Sequence, residues 1–223
     1  MIVAPPAHLA VSPPRLVVAA GETRAIRVTN EGSGVPAVVV TTAGYAVGLR
    51  GRPRIVVRRP AEISVRPRRL EIPAGRTETI AVTAVSNASP GDHAALVLVS
   101  GTVAGRGVGV RLRIGVVVLV RGRGTVAHRL RLGSLRPHKR TLELLLENRG
   151  NVTEHVDASR VHVVLRAGRR TIRLRPVARE LLPQSRGICV LRYGAHVRGR
   201  VRAQVTVDVG GRLVRRSYAL VLP

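Results

Sequence analysis

The chain has 223 residues and a formal net charge of +26 at pH 7, from 38 lysines and arginines against 12 aspartates and glutamates. Phe and Trp are absent and Tyr occurs three times, which argues against an aromatic-rich core and against stacking platforms for nucleic acid bases. The single cysteine, Cys189, excludes an internal disulfide, and the longest apolar run, Val116 to Val120, is too short to be a membrane-spanning helix. The length suits two β-sandwiches of roughly 100 residues each.

Short apolar-alternating runs separated by turn residues recur through the first half of the chain, which is typical of a β-sandwich. The predicted strands there are Arg15–Val18, Thr23–Asn30, Val35–Thr42, Thr77–Val85, Ala94–Ser100 and Val108–Val120. Three further short runs, 55–58, 63–65 and 70–72, lie among prolines, which predicts edge strands or crossovers. The glycine-rich segment Gly101–Gly109 joins two strands and opens no helix, so it is predicted to be a mobile hairpin rather than a phosphate-binding loop.

The segment Arg121–Gly124 is short, charged and rich in glycine, and it marks the predicted boundary between a domain at 1–121 and a second at 122–223. Strands predicted in the second half are Leu142–Leu146, Val161–Leu165, Thr171–Leu174, Ile188–Tyr193, Val201–Val209 and Leu213–Leu222. Gly210 and Gly211 predict a tight hairpin, because glycine accepts the positive φ of a primed turn. One helical turn is expected at Ala178–Leu182. The predicted fold class is all-β, with two immunoglobulin-like antiparallel β-sandwiches in tandem.

Motifs that carry enzyme chemistry are missing from the sequence: it has no Gly-x-Ser-x-Gly elbow, phosphate loop, His-Glu-x-x-His or Cys-x-x-Cys. The densest set of potential metal ligands is His155, Asp157 and His162, which we interpret as solvated loop and strand residues. Cys189 lies in an apolar run and is predicted to be a small buried hydrophobic residue. The sequence therefore predicts a protein that is not an enzyme, with no catalytic residue, metal or cofactor.

The positive charge is almost all arginine and attracts polyanions, such as nucleic acid, anionic lipid or an anionic cell-wall polymer. Arg198, Arg200 and Arg202 alternate along a predicted strand, so they line one face and are candidate binding residues. No zinc finger, RNP-like segment or recognition helix accompanies them, which leaves nucleic acid as a weaker alternative. A composition rich in arginine also produces solvated basic faces without any ligand, and the sequence leaves that alternative open.

Two segments resemble PapD-like domains, which are immunoglobulin-like β-sandwiches. PapD-like domains begin with an arginine-bearing strand, followed by a turn glycine and a strand that ends in Asn. The segments that resemble this beginning are Val11–Val18, Gly21-Glu22 and Val28–Gly32. Val65–Gly75 is similar to the proline-containing entry to their later strands. Three further segments, Ser89–His93, Val108–Val120 and Glu147–Val152, resemble the Gram-positive surface family of WxL-interacting, peptidoglycan-binding proteins, which pairs two such sandwiches.

The periplasmic pilus chaperones are the more distant family that the sequence resembles. That resemblance implies that Arg15 occupies their carboxylate-anchoring arginine position. It also implies that Gly115 stands where they have a lysine on the last strand of the first domain, with Arg111 and Arg113 nearby. The alternating strand Val108–Val118 is what donor-strand complementation needs, although an ordinary strand that faces its own core has the same alternation, and the sequence favours that second interpretation.

The sequence thus predicts a non-catalytic, extracytoplasmic binding or structural module that engages a cell-wall polymer or another surface protein. The first alternative is a pilus-type periplasmic chaperone acting by donor-strand complementation, and the second is nucleic-acid binding through arginine-rich faces. Met1–Ala10 shows no signal peptide, so a leader is not visible in this numbering. The candidate binding residues are Arg15, Arg111, Arg113, Arg198, Arg200 and Arg202.

Overall fold

A computed structural model describes residues 8–57, 62–103, 110–194 and 197–223. Every regular element in these ranges is a β-strand, which confirms the all-β prediction. The backbone contacts divide the chain into two compact units: unit 1 comprises Met1–Ala46 and Arg54–Thr125, and unit 2 comprises Val47–Pro53 and Val126–Pro223. The domain limits 1–121 and 122–223 stay a prediction.

Unit 1 is a sandwich of two sheets. Its strands are β1 (Leu9–Ser12), β2 (Arg15–Ala19), β3 (Thr23–Asn30), β4 (Ala37–Val47), β5 (Pro53–Val56), β6 (Ile63–Arg66), β7 (Arg69–Glu71), β8 (Thr77–Ala84), β9 (Gly91–Val103) and β10 (Val110–Gly122). One sheet has the order β1-β3-β8-β6, and the other has β2-β10-β9-β4-β5, with β7 also pairing with β4. The strands β5 and β6 lie at sheet edges, as the nearby prolines predict.

The core of unit 1 lies between these two sheets and is built from branched aliphatic side chains. Ile26 and Val28 from β3, and Ile80 and Val82 from β8, are fully buried there. Val118 on β10 meets them from the other sheet. Side chains alternate between the two faces of a strand, so a period-two apolar pattern places one whole set of side chains in the core.

Unit 2 is a second sandwich. Its strands are β11 (Leu130–His138), β12 (Thr141–Asn148), β13 (Glu154–Val156), β14 (Val161–Ala167), β15 (Arg170–Leu174), β16 (Arg179–Leu181), β17 (Ser185–Arg192), β18 (Gly199–Val209) and β19 (Arg212–Leu222). They form a three-stranded sheet β11-β12-β17, a four-stranded sheet β15-β14-β18-β19 and the small pair β13-β16. Gly210 and Gly211 have φ angles of 57° and 85° between β18 and β19, which confirms the predicted hairpin.

Both units contain the same corner, built around a buried asparagine at the end of a strand. The Asn30 amide donates to the carbonyls of Gly34 and Ile72, at 2.6 and 2.9 Å, and its oxygen accepts the Gly32 N–H at 2.9 Å. Asn148 repeats the arrangement: its amide donates to the Val152 carbonyl at 2.7 Å, and its oxygen accepts the Gly150 N–H at 2.9 Å. Each asparagine satisfies buried backbone groups where the chain leaves a sheet.

Some sequence predictions need correction. The helical turn at Ala178–Leu182 is wrong: Arg179–Leu181 is strand β16, which pairs with β13, so backbone pairing outweighs a weak local helix preference. The strand predicted from Val35 begins at Ala37, after Pro36, and continues to Val47. Of the predicted hairpin Gly101–Gly109, the first three residues belong to β9, and 104–109 lie outside the described residues, as does Val108 of the predicted long strand.

Candidate functional site: an open strand edge

The last strand of unit 1 is paired along its whole length on one side and along less than half of it on the other. β10 pairs antiparallel with β9 from Val110 to Gly122. On its other side it pairs, in parallel, with β2 only from Val117 to Arg121. No strand within the described ranges pairs with that side between Val110 and Val116. We call the stretch from Arg111 to Val116 the open edge.

Backbone hydrogen bonds show which peptide groups face the open edge. The Val117 N–H donates to the Pro14 carbonyl at 3.2 Å, and the Arg121 carbonyl accepts the Ala20 N–H at 2.9 Å, so these odd-numbered residues face β2. The N–H and C=O of one strand residue point to the same side, and the direction alternates along the strand. The peptide groups of Arg111, Arg113 and Gly115 therefore face outward along the open edge, ready to pair with an added strand.

The side chains of the open edge divide between core and surface. Leu112 and Ile114 are half-buried and pack against the core of unit 1, whereas Val116 farther along the same strand is fully buried. Val11 on β1 is also half-buried against this core, and β1 lies against β10 without pairing with it. The core is thus less completely covered here than under β2, because none of the described strands continues β2 along β10.

Three predicted site residues lie on or beside this edge. Arg111 and Arg113 are exposed on the outer face of the sheet, and Arg113 Nε donates to Ser100 Oγ on β9 at 3.3 Å. Arg15 begins β2, is exposed, and lies in register with Val117, immediately past the end of the open edge. Odd-numbered residues of β10 share one face of the sheet, and Arg15 lies on the same face because it is directly across from Val117. Arg15, Arg111 and Arg113 therefore share one face of one sheet.

The other three predicted residues belong to unit 2. Arg200 and Arg202 are exposed on the outer face of β18, as their alternation predicts. Arg198 is also exposed but precedes the strand, which begins at Gly199, and it lines a small cavity with Lys139, Arg140 and Tyr193. Three of the six predicted residues therefore belong to unit 1 and three to unit 2.

Two members of the set His155, Asp157 and His162, which we interpret from the sequence as solvated residues rather than metal ligands, have partners within the protein. Asp157 accepts hydrogen bonds from the side chain and backbone of Ser159, which hold the pKa of its carboxyl below the usual value. His155 Nδ1 lies 3.3 Å from Glu180. Within the described ranges, no group of three or more His, Cys, Asp or Glu side chains is arranged to hold a metal ion.

Cys189 is fully buried in the core of unit 2, as predicted for a small hydrophobic residue. Burial raises the pKa of its thiol to about 11, although the nearby Arg179 guanidinium acts in the opposite direction. A thiol with this pKa is neutral at physiological pH and is a poor nucleophile.

Sequence reasoning missed a buried ionic network in unit 2. Glu154 is fully buried; its Oε1 lies 2.8 Å from His128 Nδ1, and its Oε2 lies 2.8 Å from Arg160 Nη2, an ion pair without hydrogen-bond alignment. The Arg160 guanidinium also donates to the Asp208 carbonyl at 3.0 Å. Removing one partner of a buried ion pair is strongly destabilising, because it leaves the other charge buried without compensation. No local pattern predicts it, because the partners come from distant parts of the chain.

No protein-family model matches the sequence, and neither does any curated protein. Solved structures do match the fold. The class 5 fimbriae chaperone CfaA superposes with a TM-score of 0.59 at 11% identity, covering 97% of this chain and 99% of its own. The YadV chaperone matches with a TM-score of 0.54 at 13% identity, covering 95% and 99% of the two chains. A chain from the complex of the Salmonella enterica SafA pilin with the SafB chaperone matches with a TM-score of 0.53 at 14% identity and 96% coverage of both.

These matches show that the chain has the PapD-like fold of two β-sandwiches, and they correct the functional prediction. The expected cell-wall or surface-protein module is wrong, because the matching structures come from pilus chaperones and favour the first alternative. The resemblance to the Gram-positive WxL-interacting family finds no support among them, nor does binding of nucleic acid or a wall polymer. Among the described residues, no helix is long and apolar enough to cross a membrane.

Proposed function

We propose that this protein is a non-catalytic, extracytoplasmic chaperone of the pilus type, which holds a protein subunit by adding a strand of that subunit to the open edge of β10. The observation that carries the proposal is the one-sided pairing of β10 between Arg111 and Val116. The shared fold supports it, since the similar CfaA is a fimbriae chaperone and the SafB chaperone forms a complex with a pilin. The two domains, 1–121 and 122–223, are part of the proposal.

The geometry of the edge favours one direction for the added strand. β2 runs parallel to β10 and begins at Arg15, next to Val117. A partner strand could occupy the open edge in line with β2 and parallel to β10. Its C-terminal end would then lie beside Arg15, where β2 begins. Its C-terminal carboxylate then lies near a guanidinium, which binds carboxylates with two parallel hydrogen bonds. We therefore propose Arg15 as the anchor for the partner's C-terminus.

The chemistry of the edge also sets the side chains of the partner. Residues directly across two paired strands share a face, so the partner's core-side residues would lie beside Leu112 and Ile114, and its outer residues beside Arg111 and Arg113. The first set must be apolar to complete the cover of the core. Acidic residues are favoured at the partner's outer positions, because the exposed Arg111 and Arg113 lie beside them. The proposed ligand is an alternating apolar and acidic strand with a free carboxylate.

Synthetic peptides test this assignment by fluorescence anisotropy. A short peptide in which valine alternates with glutamate is expected to bind more tightly than the serine version, and the lysine version is expected to bind most weakly. Amidation of the C-terminus is expected to weaken binding by about tenfold, as for the loss of a charge-assisted hydrogen bond. Equal binding of the glutamate and lysine peptides would contradict the proposed role of Arg111 and Arg113.

A matched pair of variants separates edge binding from other modes. Gly115→Pro removes one N–H that faces the open edge and adds a ring there, so it is expected to abolish peptide binding. Gly115→Ala is the control, because an added Cβ would meet only Leu96 and Leu98, each at an ordinary 3.6 Å. Unchanged binding by Gly115→Pro, or no binding of any alternating peptide or pilin subunit by the native protein, would refute the proposal.

A further inference from the structure

The outer face of the four-stranded sheet in unit 2 carries exposed arginines from all four of its strands. Because paired residues lie on the same face, the register places Arg173 beside Val164 on β14, and Arg215 beside Thr206 on β18. The five exposed arginines of this face are Arg166, Arg173, Arg200, Arg202 and Arg215. We call them the basic face.

Among the described residues, the arginines of the basic face are not paired with counter-charges. Arg166 lies directly across from Arg202, and like charges in directly opposed positions destabilise a sheet. Within the described part of the chain, none of the five arginines forms an ion pair with a carboxylate. The one carboxylate on this face, Asp208, lies across from Leu213 and accepts the Gly211 N–H at 2.8 Å.

The outer face of the three-stranded sheet in the same unit is different. Glu147 on β12 lies across from Arg131 and Arg186, and Arg149 Nη2 is 3.1 Å from its carboxylate. The hydrogen bond from Arg149 and its charge, with a smaller contribution from Arg186, hold the pKa of Glu147 below the usual value. In the described part of unit 2, Glu147 therefore pairs with arginines on the outer face of one sheet, whereas the five arginines of the basic face have no carboxylate partner.

We propose that the basic face docks on the surface of an anionic phospholipid bilayer. Alternate strand residues and neighbouring strands spread the five guanidinium groups over a broad, gently twisted surface, and guanidinium groups bind phosphate oxygens bidentately. Val221 lies across from Arg200, is 66% exposed, and adds an apolar side chain that can enter the interface between headgroups and acyl chains.

A protein partner fits this face less well. The face carries no aromatic side chain, since Tyr218 on β19 packs toward the core of unit 2. Binding hot spots between proteins are enriched in Trp and Tyr in desolvated pockets, whereas an anionic membrane needs only spread positive charge and shallow apolar contact. The inference is independent of strand addition at β10, which uses residues of unit 1.

Vesicle flotation tests the inference with two triple variants of equal net charge. Arg166→Gln, Arg200→Gln and Arg202→Gln together remove the centre of the basic face. Each arginine near an anionic surface contributes about fivefold to partitioning, so we expect a loss of about a hundredfold on phosphatidylglycerol–phosphatidylcholine vesicles. The control variant carries Arg66→Gln, Arg69→Gln and Arg76→Gln, all exposed in unit 1, and is expected to lose less than about threefold.

The remaining arms identify the source of the negative charge. Native protein is expected not to float with pure phosphatidylcholine vesicles, to dissociate from anionic vesicles as salt screens the charges, and to stay bound in millimolar inorganic phosphate. Circular dichroism and thermal melts of both variants check that they fold. Equal loss in the two triple variants would mean attraction by net charge alone and would overturn the proposal. Binding of the basic face to duplex DNA or polyglutamate, without flotation on anionic vesicles, would also overturn it.

Discussion

The last strands of the two sandwiches, β10 and β19, differ in what lies along their outer edges. In unit 1, β2 pairs with the second half of β10 through its backbone and leaves the first half open. In unit 2, β19 pairs with β18 and is tied to β11 by side chains: Arg216 Nη1 donates to the Leu132 carbonyl and Tyr218 Oη to the Gly133 carbonyl, each at 2.8 Å. Within the described ranges no strand pairs with the outer edge of β19, whose side chains instead cross to the other sheet of unit 2. At the open edge of β10, the half-buried Leu112 and Ile114 leave core surface that an added strand can cover.

The largest expected change in stability comes from proline substitutions that compare the two edges of β10. Ile114→Pro removes an N–H that faces β9 and also deletes a side chain packed on the core, so it is expected to lower the free energy of unfolding by about 4 kcal/mol. Gly115→Pro removes an N–H that faces the open edge, and its cost is expected to be about 1 kcal/mol. Urea denaturation measures both. Similar losses in the two variants would mean that the pairing of β10 does not alternate as described.

The second prediction concerns the corner that the two units share. Asn30→Ala and Asn148→Ala each leave buried backbone groups without partners and are expected to lower the free energy of unfolding by about 3 kcal/mol. Denaturation followed by hydrogen exchange resolves which unit opens first in each variant. We expect unit 1 to open first in Asn30→Ala and unit 2 to open first in Asn148→Ala. A decrease in the free energy of unfolding of less than about 1 kcal/mol in either variant would show that the corner does not stabilise that unit.

The smallest effect concerns the side-chain contact between β19 and β11. Tyr218→Phe removes the hydrogen bond to Gly133 and is expected to cost about 1 kcal/mol. Burial raises the pKa of the Tyr218 hydroxyl, with Arg216 acting in the opposite direction. The unfolded chain therefore loses this proton first as pH rises, so stability is retained below the ordinary tyrosine pKa of about 10 and falls above it. Thermal melts from pH 8 to 11 should show a shallower decline for Tyr218→Phe, and an identical decline would contradict the assignment.

The sequence predicts the strands better than it predicts what pairs with them. The alternation of β10 can be recognised in the sequence because its even-numbered residues from Val110 to Val120 are all branched aliphatic. The end of its pairing, however, depends on where β2 begins, after Pro13 and Pro14. Strand β11 escaped prediction for a local reason. Its register shifts between Leu132 and Leu135, so an irregularity reverses the alternation and buries leucines of both parities.

The candidate site shows the same limits. Arg200 and Arg202 follow from alternation along one strand, but the opposition of Arg166 to Arg202 depends on a pairing across the sheet that spacing does not reveal. Arg15, Arg111 and Arg113 were singled out through a family resemblance, and the structure places them on one face. The backbone of the open edge, which carries the proposed function, has no side-chain signature beyond Gly115.

Amide hydrogen exchange along β10, measured by NMR with and without the valine–glutamate peptide, tests the central claim most directly. In the free protein, the amides of Arg111, Arg113 and Gly115 are expected to exchange fast, and those of Leu112, Ile114 and Val116 to be protected by β9. Bound peptide is expected to slow the first set by at least about tenfold, as for hydrogen bonds newly formed with an added strand. Protection of all six amides in the free protein, or fast exchange of the first set when peptide is bound, would contradict the account.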